Sequence, residues 1–392
     1  MSDMKNKVYR LDELCDIKSG KRIPKKMDFV TFETKHPYIR ARDIKEGKIN
    51  TDDLIYLEDD VFQKIKRYII NSGDIAITIV GASVGDTGYA SKNVDGYNLT
   101  ENAVRLTNYK NNVDSKFLHY VLAQKQYHDY MQLIAGAAAQ SKLGIYKVKR
   151  IKVELPDLKK QEKIAYILST NDNLIENNNK RIKLLEQMAE NLYKEWFVRF
   201  RFPGYEDVEF IDGFPKEWKI CRIDQLSKIK AGGDAPDDST KEITDECCIP
   251  IYSNGIENEG LYGYTSKAKI NKTSITISAR GTVGYTCLRR VSYTPIVRLI
   301  CVIPHEGKLV NWLFYYFKRT IVIANGTSQQ QITIPMMSRE KVLLPTNNLI
   351  QKFYEYSTCY LDEIDSLKAQ NSNLEKQRDM LLPRLMSGKL KV

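Results

Sequence analysis

Residues 11–20 read LDELCDIKSG and residues 223–232 read IDQLSKIKAG, so that Asp, Leu, Ile, Lys and Gly return in the same register. Further matches follow in the same order: SVG at 83–85 with TVG at 282–284, AVRL at 103–106 with IVRL at 296–299, and VELP at 153–156 with LLP at 343–345. A period of about half the chain is too long for a solenoid, whose units have roughly 20 to 50 residues. The chain is therefore predicted to contain one domain-plus-helix arrangement twice.

Each copy begins with a mixed pattern and ends with a helical one. β-like runs at 74–80 and 274–278 precede glycine-containing loops, and helical patterns follow at 115–133 and 309–323. The pattern predicts an α+β protein with two similar mixed α/β domains and two helical spacer segments. We place the domains at 1–157 and 204–346, the central spacer at 158–203 and the C-terminal spacer at 347–392.

The helical segments carry heptad seams. From 164 to 196 and from 353 to 385, most residues at alternating spacings of four and three are apolar, and the exceptions include Asn178 and Asn371. A parallel pairing would place each of these asparagines against an apolar residue and leave its amide without a partner, at about 1–3 kcal/mol. An antiparallel pairing brings them together.

We therefore predict a long antiparallel two-helix coiled coil that separates the domains about a pseudo-two-fold axis. In this register Asn178 and Asn371 fix the alignment, since a polar pair in a seam specifies register. The alternative is two amphipathic helices that each pack on their own domain. The same register also pairs Asn171 with Arg378, Ile175 with Leu374, Leu185 with Ile364, Ala189 with Tyr360, and Trp196 with Phe353.

Charge favours a polyanionic partner. Sixty Lys and Arg against 49 Asp and Glu give a formal net charge of +11, which attracts nucleic acid through its field and through counterion release. The seven cysteines lack CxxC spacing and indicate neither a disulfide framework nor a zinc site. Without an apolar leader or a run of about 18 apolar residues, the chain is predicted to be soluble, cytoplasmic and without a membrane partner.

Catalytic signatures are mostly absent. The SGKR sequence at 19–22 lacks the upstream glycine and the following hydroxyl residue of a phosphate-binding loop. Two Glu-x-Lys triplets, at 46–48 and 306–308, are expected by chance in a chain that is 28% charged, and the four histidines lack metal-ligand spacing. The sequence predicts a chain that is not itself an enzyme and holds neither a metal nor a cofactor.

Basic and polar residues are the candidate DNA contacts; most lie in predicted loops, and Arg40 and Arg42 lie at the spacing of a strand. Lys and Arg bind phosphates, and Gln, Ser and Asn hydrogen-bond to base edges; a solvated surface position or a capping turn is the alternative for each. In the first domain the candidates are Lys21, Arg22, Arg40, Arg42, Lys64, Lys66, Arg67, Ser83, Gln140 and Lys142. In the second they are Ser253, Asn254, Arg280, Thr282, Arg289, Arg290, Thr327, Ser328, Gln329 and Gln330.

Three motifs carry a family resemblance. The sequence LYKEWFVRF at 192–200 with FPGY at 202–205, LLPRLMSGKL at 381–390, and the Leu-Pro…Gln entry to both helices resemble the specificity subunits of Type I restriction–modification systems. The resemblance covers the whole chain. One departure is the alanine-rich loop at 137–139, which puts base reading by this loop in doubt and leaves apolar contact with a thymine methyl as the alternative.

The resemblance implies two target recognition domains that each read one half of a split, asymmetric site in double-stranded DNA. It implies that the helices set the gap and bind two modification (methyltransferase) subunits, joined by restriction/translocase subunits. S-adenosylmethionine, ATP and Mg are then expected on the partner subunits. The alternatives are a stand-alone DNA-modifying or DNA-cutting enzyme, and a helical protein-interaction scaffold without a DNA role.

Overall fold

The computed structural model describes residues 6–136, 141–324, 331–386 and 390. The chain divides into two compact units: unit 1 comprises Met1–Ile175 and Ser372–Val392, and unit 2 comprises Glu176–Asn371. Both units contain helices and sheets, and a long helix connects the sheet-containing regions, which confirms the α+β prediction. Among the described residues, no helix combines the length and apolar character that a membrane span needs.

The globular part of unit 1 consists of short strands and helices. The strands are β1 (Lys7–Arg10), β2 (Asp16–Ser19), β3 (Pro37–Ile39), β4 (Ile44–Lys45), β5 (Lys48–Ile49), β6 (Ile55–Tyr56), β7 (Ile75–Thr78), β8 (Thr87–Tyr89), β9 (Asn98–Leu99), β10 (Ala103–Thr107) and β11 (Lys152–Leu155). The helices are α1 (Leu11–Leu14), α2 (Asp59–Ile65), α3 (Ser115–Leu122), α4 (Lys125–Ala135) and α5 (Ile145–Lys149), with 3-10 turns at Ala41–Asp43 and Lys92–Val94.

The main sheet of unit 1 has the strand order β2-β10-β7-β8, and each neighbouring pair is antiparallel. All four residues of β7 are buried, as a central strand covered on both faces requires. A second sheet has the order β6-β3-β9, and β1 pairs with β11. The helix predicted at 115–133 is interrupted after Leu122, because Gln124 is extended and begins α4.

The two long helices are α6 (Leu158–Tyr193), which continues as a π-helix at Lys194–Val198, and α10 (Asn347–Met386). Their heptad seams are buried or half-buried at every predicted position. In unit 2, Asn178 Nδ2 donates to Asn371 Oδ1 at 2.9 Å, which is the contact that the antiparallel pairing predicts. That this pair fixes the register stays a prediction.

Further contacts agree with antiparallel helices inside each unit. In unit 2 the rings of Trp196 and Phe353 lie 6.1 Å apart. In unit 1, Arg378 binds Asp172 at 2.9 Å, one residue beyond the Asn171 partner that the sequence predicts. The ends of both helices also join the domain cores, with Ile164 in unit 1 and Phe353 in unit 2. Pairing and packing on the domains, which the sequence treats as alternatives, therefore occur together.

Unit 2 repeats the elements of unit 1. Its strands are β12 (Phe210–Ile211), β13 (Phe214–Pro215), β14 (Lys219–Arg222), β15 (Ser227–Ala231), β16 (Ile249–Tyr252), β17 (Leu261–Thr265), β18 (Ser274–Ile277), β19 (Thr286–Arg289), β20 (Thr294–Pro295), β21 (Ile300–Pro304) and β22 (Lys341–Leu344). Its shorter helices are α7 (Ile223–Leu226), α8 (Leu309–Ala324) and α9 (Ile334–Arg339), with 3-10 turns at Tyr205–Asp207 and Glu257–Gly260.

The strand orders of unit 2 are β15-β21-β18-β19 and β17-β16-β20, with β14 paired to β22. These orders match those of unit 1 strand for strand, including the parallel pairs β3–β9 and β16–β20. Local hydrogen bonds explain why the sequences at 11–20 and 223–232 resemble each other. The Arg10 backbone N–H donates to Glu13 at 2.7 Å, and the Arg222 N–H donates to Gln225 at 2.9 Å. Each bond closes the first turn of a short helix.

Strand pairing corrects one match of the sequence repeat. Val104 pairs with Ser19, and Ile300 pairs with Ala231, which is the counterpart of Ser19. Residues 103–106 therefore correspond to 299–302, not to 296–299. The two stretches look alike because β10 and the turn before β21 share the sequence Val-Arg-Leu.

The segment at 296–299 corresponds instead to the turn at 100–103. The Leu299 N–H donates to Ile296 O at 3.1 Å, and the Ala103 N–H donates to Thr100 O at 3.2 Å. This alignment makes Val297 the counterpart of Glu101.

The motif at 192–200 is explained by the core of unit 2. Trp196 and Phe197 pack with Trp218, Trp312 and Phe353 in one buried cluster. Large aromatic side chains supply much of the apolar area that a core buries. The motif therefore joins the helix to the second domain.

Candidate nucleic-acid interface

Several strands of unit 1 end at one surface, where backbone hydrogen bonds join the connecting segments. The Ile79 N–H donates to Asn102 O at 2.7 Å, and the Leu143 N–H donates to Ile79 O at 2.8 Å. Loops that a rigid scaffold holds in this way are the usual carriers of binding residues. We call this the first strand-end surface; it consists of residues 20–22, 39–41, 79–81, 100–103 and 141–143.

Unit 2 has the equivalent surface. The Ile332 N–H donates to Ala279 O at 3.2 Å, and the Ile296 N–H donates to Tyr252 O at 2.9 Å. These bonds are the counterparts of those made by Leu143 and Thr100 in unit 1. The second strand-end surface consists of residues 232–233, 252–254, 279–281, 296–299 and 331–332.

Two of the predicted cations, Lys21 and Arg22, lie at the first strand-end surface. Lys21 Nζ lies 5.8 Å from the centre of the Tyr68 ring, and Lys64 Nζ lies 3.5 Å from Met27 Sδ. Tyr68 and Met27 pack on the same small core, but Lys64 itself lies outside the strand-end surface. Arg22 is also exposed there and pairs with Glu101 at 2.6 Å.

The other predicted cations of the first domain are exposed. Lys66 hydrogen-bonds to Gln63 at 3.2 Å, and Arg67 and Lys142 are exposed. Lys142 belongs to the first strand-end surface through the bridge between its backbone and Val80. Exposed lysines on a loop surface can reach DNA phosphates without breaking an internal bond.

Arg40 and Arg42 have internal partners. The strand predicted through them ends at Ile39, and 41–43 form a 3-10 turn. Arg40 binds both carboxylate oxygens of Asp43 at 2.9 Å, and this bond raises the pKa of Arg40. Arg42 binds Asp53 at 2.7 Å. Arg40 is neutralised by the buried Asp43 and stabilises the turn, which makes it poorly suited to binding phosphate. Arg42 and Asp53 are both exposed, so their ion pair contributes little and commits Arg42 less strongly.

The loops that carry Ser83 and Thr282 have the same backbone pattern. Gly85 and Gly284 have φ values of 93° and 87°, which favour glycine, and their N–H groups donate to Thr78 O and Ser278 O. Ser83 is half-buried. Thr282 Oγ1 is buried without a hydrogen-bond partner among the described residues. The repeated Val-Gly thus has a structural role. The hydroxyl groups of Ser83 and Thr282 are at least partly buried and are not freely accessible to a ligand.

Arg289 does not fit its predicted DNA contact. It is 3% exposed, donates to Thr276 Oγ1 at 2.9 Å and to Glu259 at 3.2 Å, and lies 3.6 Å from the centre of the Tyr252 ring. Its guanidinium is therefore committed to the interior of unit 2.

Arg290 is also internal to unit 2. It binds Asp365 at 2.5 Å and also pairs with Asp362, both on α10. Arg290 therefore does not fit its predicted DNA contact either. As with Arg289, the fold brings carboxylates that are distant in sequence against its guanidinium.

The polar candidates of the second strand-end surface differ in role. Asn254 uses both ends of its amide, because Nδ2 donates to Val297 O at 2.7 Å and Oδ1 accepts from the Ala279 N–H at 2.9 Å. It holds two loops together. Ser253 is half-buried beside it. Arg280 is exposed and has no hydrogen bond or ion pair within the described part of the chain, so it is available to a ligand.

Five candidates lie outside the described residues. Leu143 and Ile332 are the nearest residues after these candidates that have equivalent backbone bonds, to Ile79 O and Ala279 O. The chain is therefore at the same place in both units at Leu143 and at Ile332. The candidates concerned are Gln140, Thr327, Ser328, Gln329 and Gln330.

Sequence reasoning missed Val297 and Arg298. Both are exposed on the second strand-end surface, but the slipped repeat alignment matched them to Val104 and Arg105, which lie in β10. No signal in the sequence could have found them, because their exposure and their contacts with residues 232–233 exist only in the fold. Elsewhere, no cluster of three His, Cys, Asp or Glu side chains could hold a metal ion in the part of the chain that the structure describes.

The structure thus contains two copies of one α+β domain, each with exposed cations on a loop surface. A family model described as the Type I restriction modification DNA specificity domain matches residues 3–187 and 215–376. The chain belongs to this family.

Individual relatives agree with the family match. The chain is 26% identical to the Type I restriction enzyme MjaIX specificity subunit of Methanocaldococcus jannaschii, over 72% of this chain and 71% of that protein. It is 27% identical to a putative type I specificity subunit of Mycoplasma pneumoniae, over 88% of this chain and 86% of that protein. A crystal structure of an S subunit from M. genitalium shares the fold with a TM-score of 0.62 at 17% identity, covering 98% and 97% of the two chains.

The predicted family and function are thus confirmed: the chain is a specificity subunit of the type I restriction–modification class. Proteins of this class recognise DNA and act in complexes with other subunits, which carry the catalysis. The comparisons give no support to a stand-alone enzyme or to a scaffold without a DNA role.

Proposed function

We propose that this chain reads a split, asymmetric site in double-stranded DNA, with one half-site for each domain. The observation that carries the proposal is a shared pattern of backbone hydrogen bonds with different side chains at equivalent places. Arg40 corresponds to Ser253, Glu101 to Val297, and Lys142 to Gln331, as the matching backbone bonds indicate. Since base reading depends on side-chain donors, acceptors and methyl groups, unlike surfaces select unlike half-sites.

Phosphate binding would supply the affinity. Lys21 and Lys142 are exposed cations of the first strand-end surface, and Lys64 is exposed elsewhere in the same domain. The second strand-end surface has Arg280. These side chains are free of carboxylate partners among the described residues, in contrast to Arg40 and Arg42. Binding that depends on such contacts weakens with salt, with a log–log slope of about −0.9 for each phosphate neutralised.

The paired helices would set the unread gap between the half-sites and bind two modification subunits, with restriction/translocase subunits added to them. The lengths of α6 and α10, 36 and 40 residues, support the first part. Exposed apolar side chains on α6, among them Tyr166, Leu184 and Met188, support the second, because such groups favour protein contacts. S-adenosylmethionine, ATP and Mg would be bound by the partner subunits.

Selection of preferred sites from a randomised DNA pool, with the chain bound to its modification subunits, tests the reading of bases. Arg280→Ala and Gln329→Ala are expected to relax base preference in one half-site and leave the other intact. Lys64→Ala is expected to weaken binding to all sequences and to lower the salt slope by about 0.9. Lys352→Ala, which alters an exposed lysine on α10, is the matched control. A wild-type chain that selects no divided site would refute the proposal.

Removing one heptad from each helix tests the gap. Seven residues shorten a helix by about 10 Å, which is about three base pairs at 3.4 Å each. The accepted gap between the half-sites should shorten by that amount while the half-sites keep their sequences. An unchanged gap would rule out the helices as the spacer.

A further inference from the structure

The turn at 296–299 in unit 2 has an unusual backbone for its sequence. Its central residues, Val297 and Arg298, have φ values of 51° and 59°, and the Leu299 N–H closes it on Ile296 O. Positive φ at both central positions is the combination found in type I′ turns, which prefer Asn-Gly. Positive φ is an outlier for a β-branched residue such as valine.

Neighbouring groups hold the turn in this conformation. The Val297 N–H donates to Gly233 O at 2.8 Å, and the Arg298 N–H donates to Gly232 O at 3.2 Å. Asn254 Nδ2 donates to Val297 O at 2.7 Å. A Cβ on Gly232 would lie 2.7 Å from Ile296 N, so this glycine permits the close approach. A strained backbone persists only where its surroundings over-determine it.

The side chains on this turn face outward. Val297 is 57% exposed, and the side chain of Arg298 is exposed and makes no hydrogen bond or ion pair among the described residues. Asn254 also binds the Ala279 N–H and so places the Arg280 loop beside the turn. The strained segment therefore presents one apolar and one cationic side chain at the centre of the second strand-end surface.

The fold does not require this strain. At the equivalent turn of unit 1, neither Glu101 nor Asn102 has a positive φ. Glu101 there accepts hydrogen bonds from Arg22 and Tyr38. The same position can thus be built without strain and with its charge neutralised. Strained residues that the fold does not require cluster at ligand-binding sites.

We propose that the turn at 296–299 determines the sequence of the second half-site: Val297 contacts a thymine methyl group, and Arg298 donates hydrogen bonds to the O6 and N7 acceptors of a neighbouring guanine. These are the base-edge groups that an aliphatic side chain and a guanidinium recognise in the major groove. The inference rests on the proposed function of the second domain. It adds the identity of the reading residues and of the bases they prefer.

Replacement of the turn by its unstrained sequence provides the test. Val297→Asn combined with Arg298→Gly installs the residues that type I′ turns prefer, so the variant should have a higher Tm than the wild type. Site selection from randomised DNA should then lose a thymine and an adjacent guanine preference in one half-site only. Arg298→Lys keeps the charge but not the planar fork, and should lose the guanine preference while retaining binding to non-specific DNA.

A matched control changes the equivalent turn of unit 1. Glu101→Asn with Asn102→Gly should leave the second half-site unaltered. Should the wild type select a divided site while the Val297→Asn, Arg298→Gly variant keeps every base preference, the inference fails and the proposed function stands. Uniform weakening on all sequences would equally overturn it, because it would assign Arg298 to phosphate. If the wild-type chain selected no divided site from randomised DNA, the proposed function itself would be refuted.

Discussion

The two units share a backbone and differ in where they place their charged groups. At the turn before the last strand of the main sheet, unit 1 has Glu101 bound to Arg22, whereas unit 2 has the exposed pair Val297 and Arg298. After β3 of unit 1, Arg40 is neutralised by Asp43, whereas the equivalent residue of unit 2 is the half-buried, uncharged Ser253. Equivalent positions of a duplicated fold can therefore serve structure in one copy and remain free for a ligand in the other.

The largest expected effect concerns the buried arginine of unit 2. Arg289→Met removes hydrogen bonds to Thr276 and Glu259 and the contact with the Tyr252 ring, and should lower the free energy of unfolding by about 3 kcal/mol. The exposed Arg42→Met in unit 1 should lower it by less than about 1 kcal/mol. Urea unfolding of both variants measures the difference. If both variants lost the same free energy of unfolding, Arg289 would contribute no more to stability than the exposed Arg42.

Acid should destabilise unit 1 through His119. Burial lowers the pKa of His119 from 6.5 to about 4, so the unfolded chain binds a proton more readily than the folded one. The stability that neutral, buried His119 preserves is fully present above about pH 6.5 and is lost as the pH falls towards 4. At pH 5 the loss should be about 2 kcal/mol relative to pH 7.

Hydrogen exchange resolves this effect unit by unit. Amides in the core of unit 1 should lose protection between pH 7 and pH 5 beyond the intrinsic change in exchange rate, and His119→Asn should remove the difference. The exposed His305→Gln serves as control. A pH response that His119→Asn leaves intact would assign it to another group.

A smaller effect is expected where the helices pair in unit 2. Asn371→Leu leaves Asn178 without its partner and should lower the free energy of unfolding by about 1.5 kcal/mol. The double replacement with Asn178→Leu should recover stability, because both polar groups are then gone. Thermal unfolding of the three variants measures this. A double variant as unstable as the sum of the single ones would argue against a direct pair.

The smallest effect concerns the ion pair that closes the turn of unit 1. Glu101→Gln releases Arg22, which is largely exposed, so stability should change by less than about 1 kcal/mol. The freed guanidinium should instead strengthen DNA binding and steepen its salt dependence. Fluorescence anisotropy at several salt concentrations reports both. An unchanged slope would show that Arg22 lies away from the phosphates.

The duplicated fold was predictable because its markers are local. The capping residues Glu13 and Gln225 recur at the same distance from their partners, and Gly20 is required because a Cβ there would lie 2.0 Å from Thr100 O. The helix pairing was predictable from the unmet amide of Asn178. Each signal depends on neighbouring residues or on a strict period.

The roles of the arginines were not predictable in the same way. Arg289 meets Glu259 and Arg290 meets Asp362 only after the chain has folded, so the sequence shows basic residues without their partners. The repeat alignment also slipped at 296–299, where a turn and a strand share the sequence Val-Arg-Leu. The position of Arg298 therefore became visible only from strand pairing.

The pairing of β1 with β11, and of β14 with β22, places the entrance and exit of each globular part side by side. A segment whose two ends meet on one ladder can be exchanged as a cassette without altering the helices that follow. Recombination between related genes at these two ladders would then create new combinations of half-sites while the helical framework stays constant.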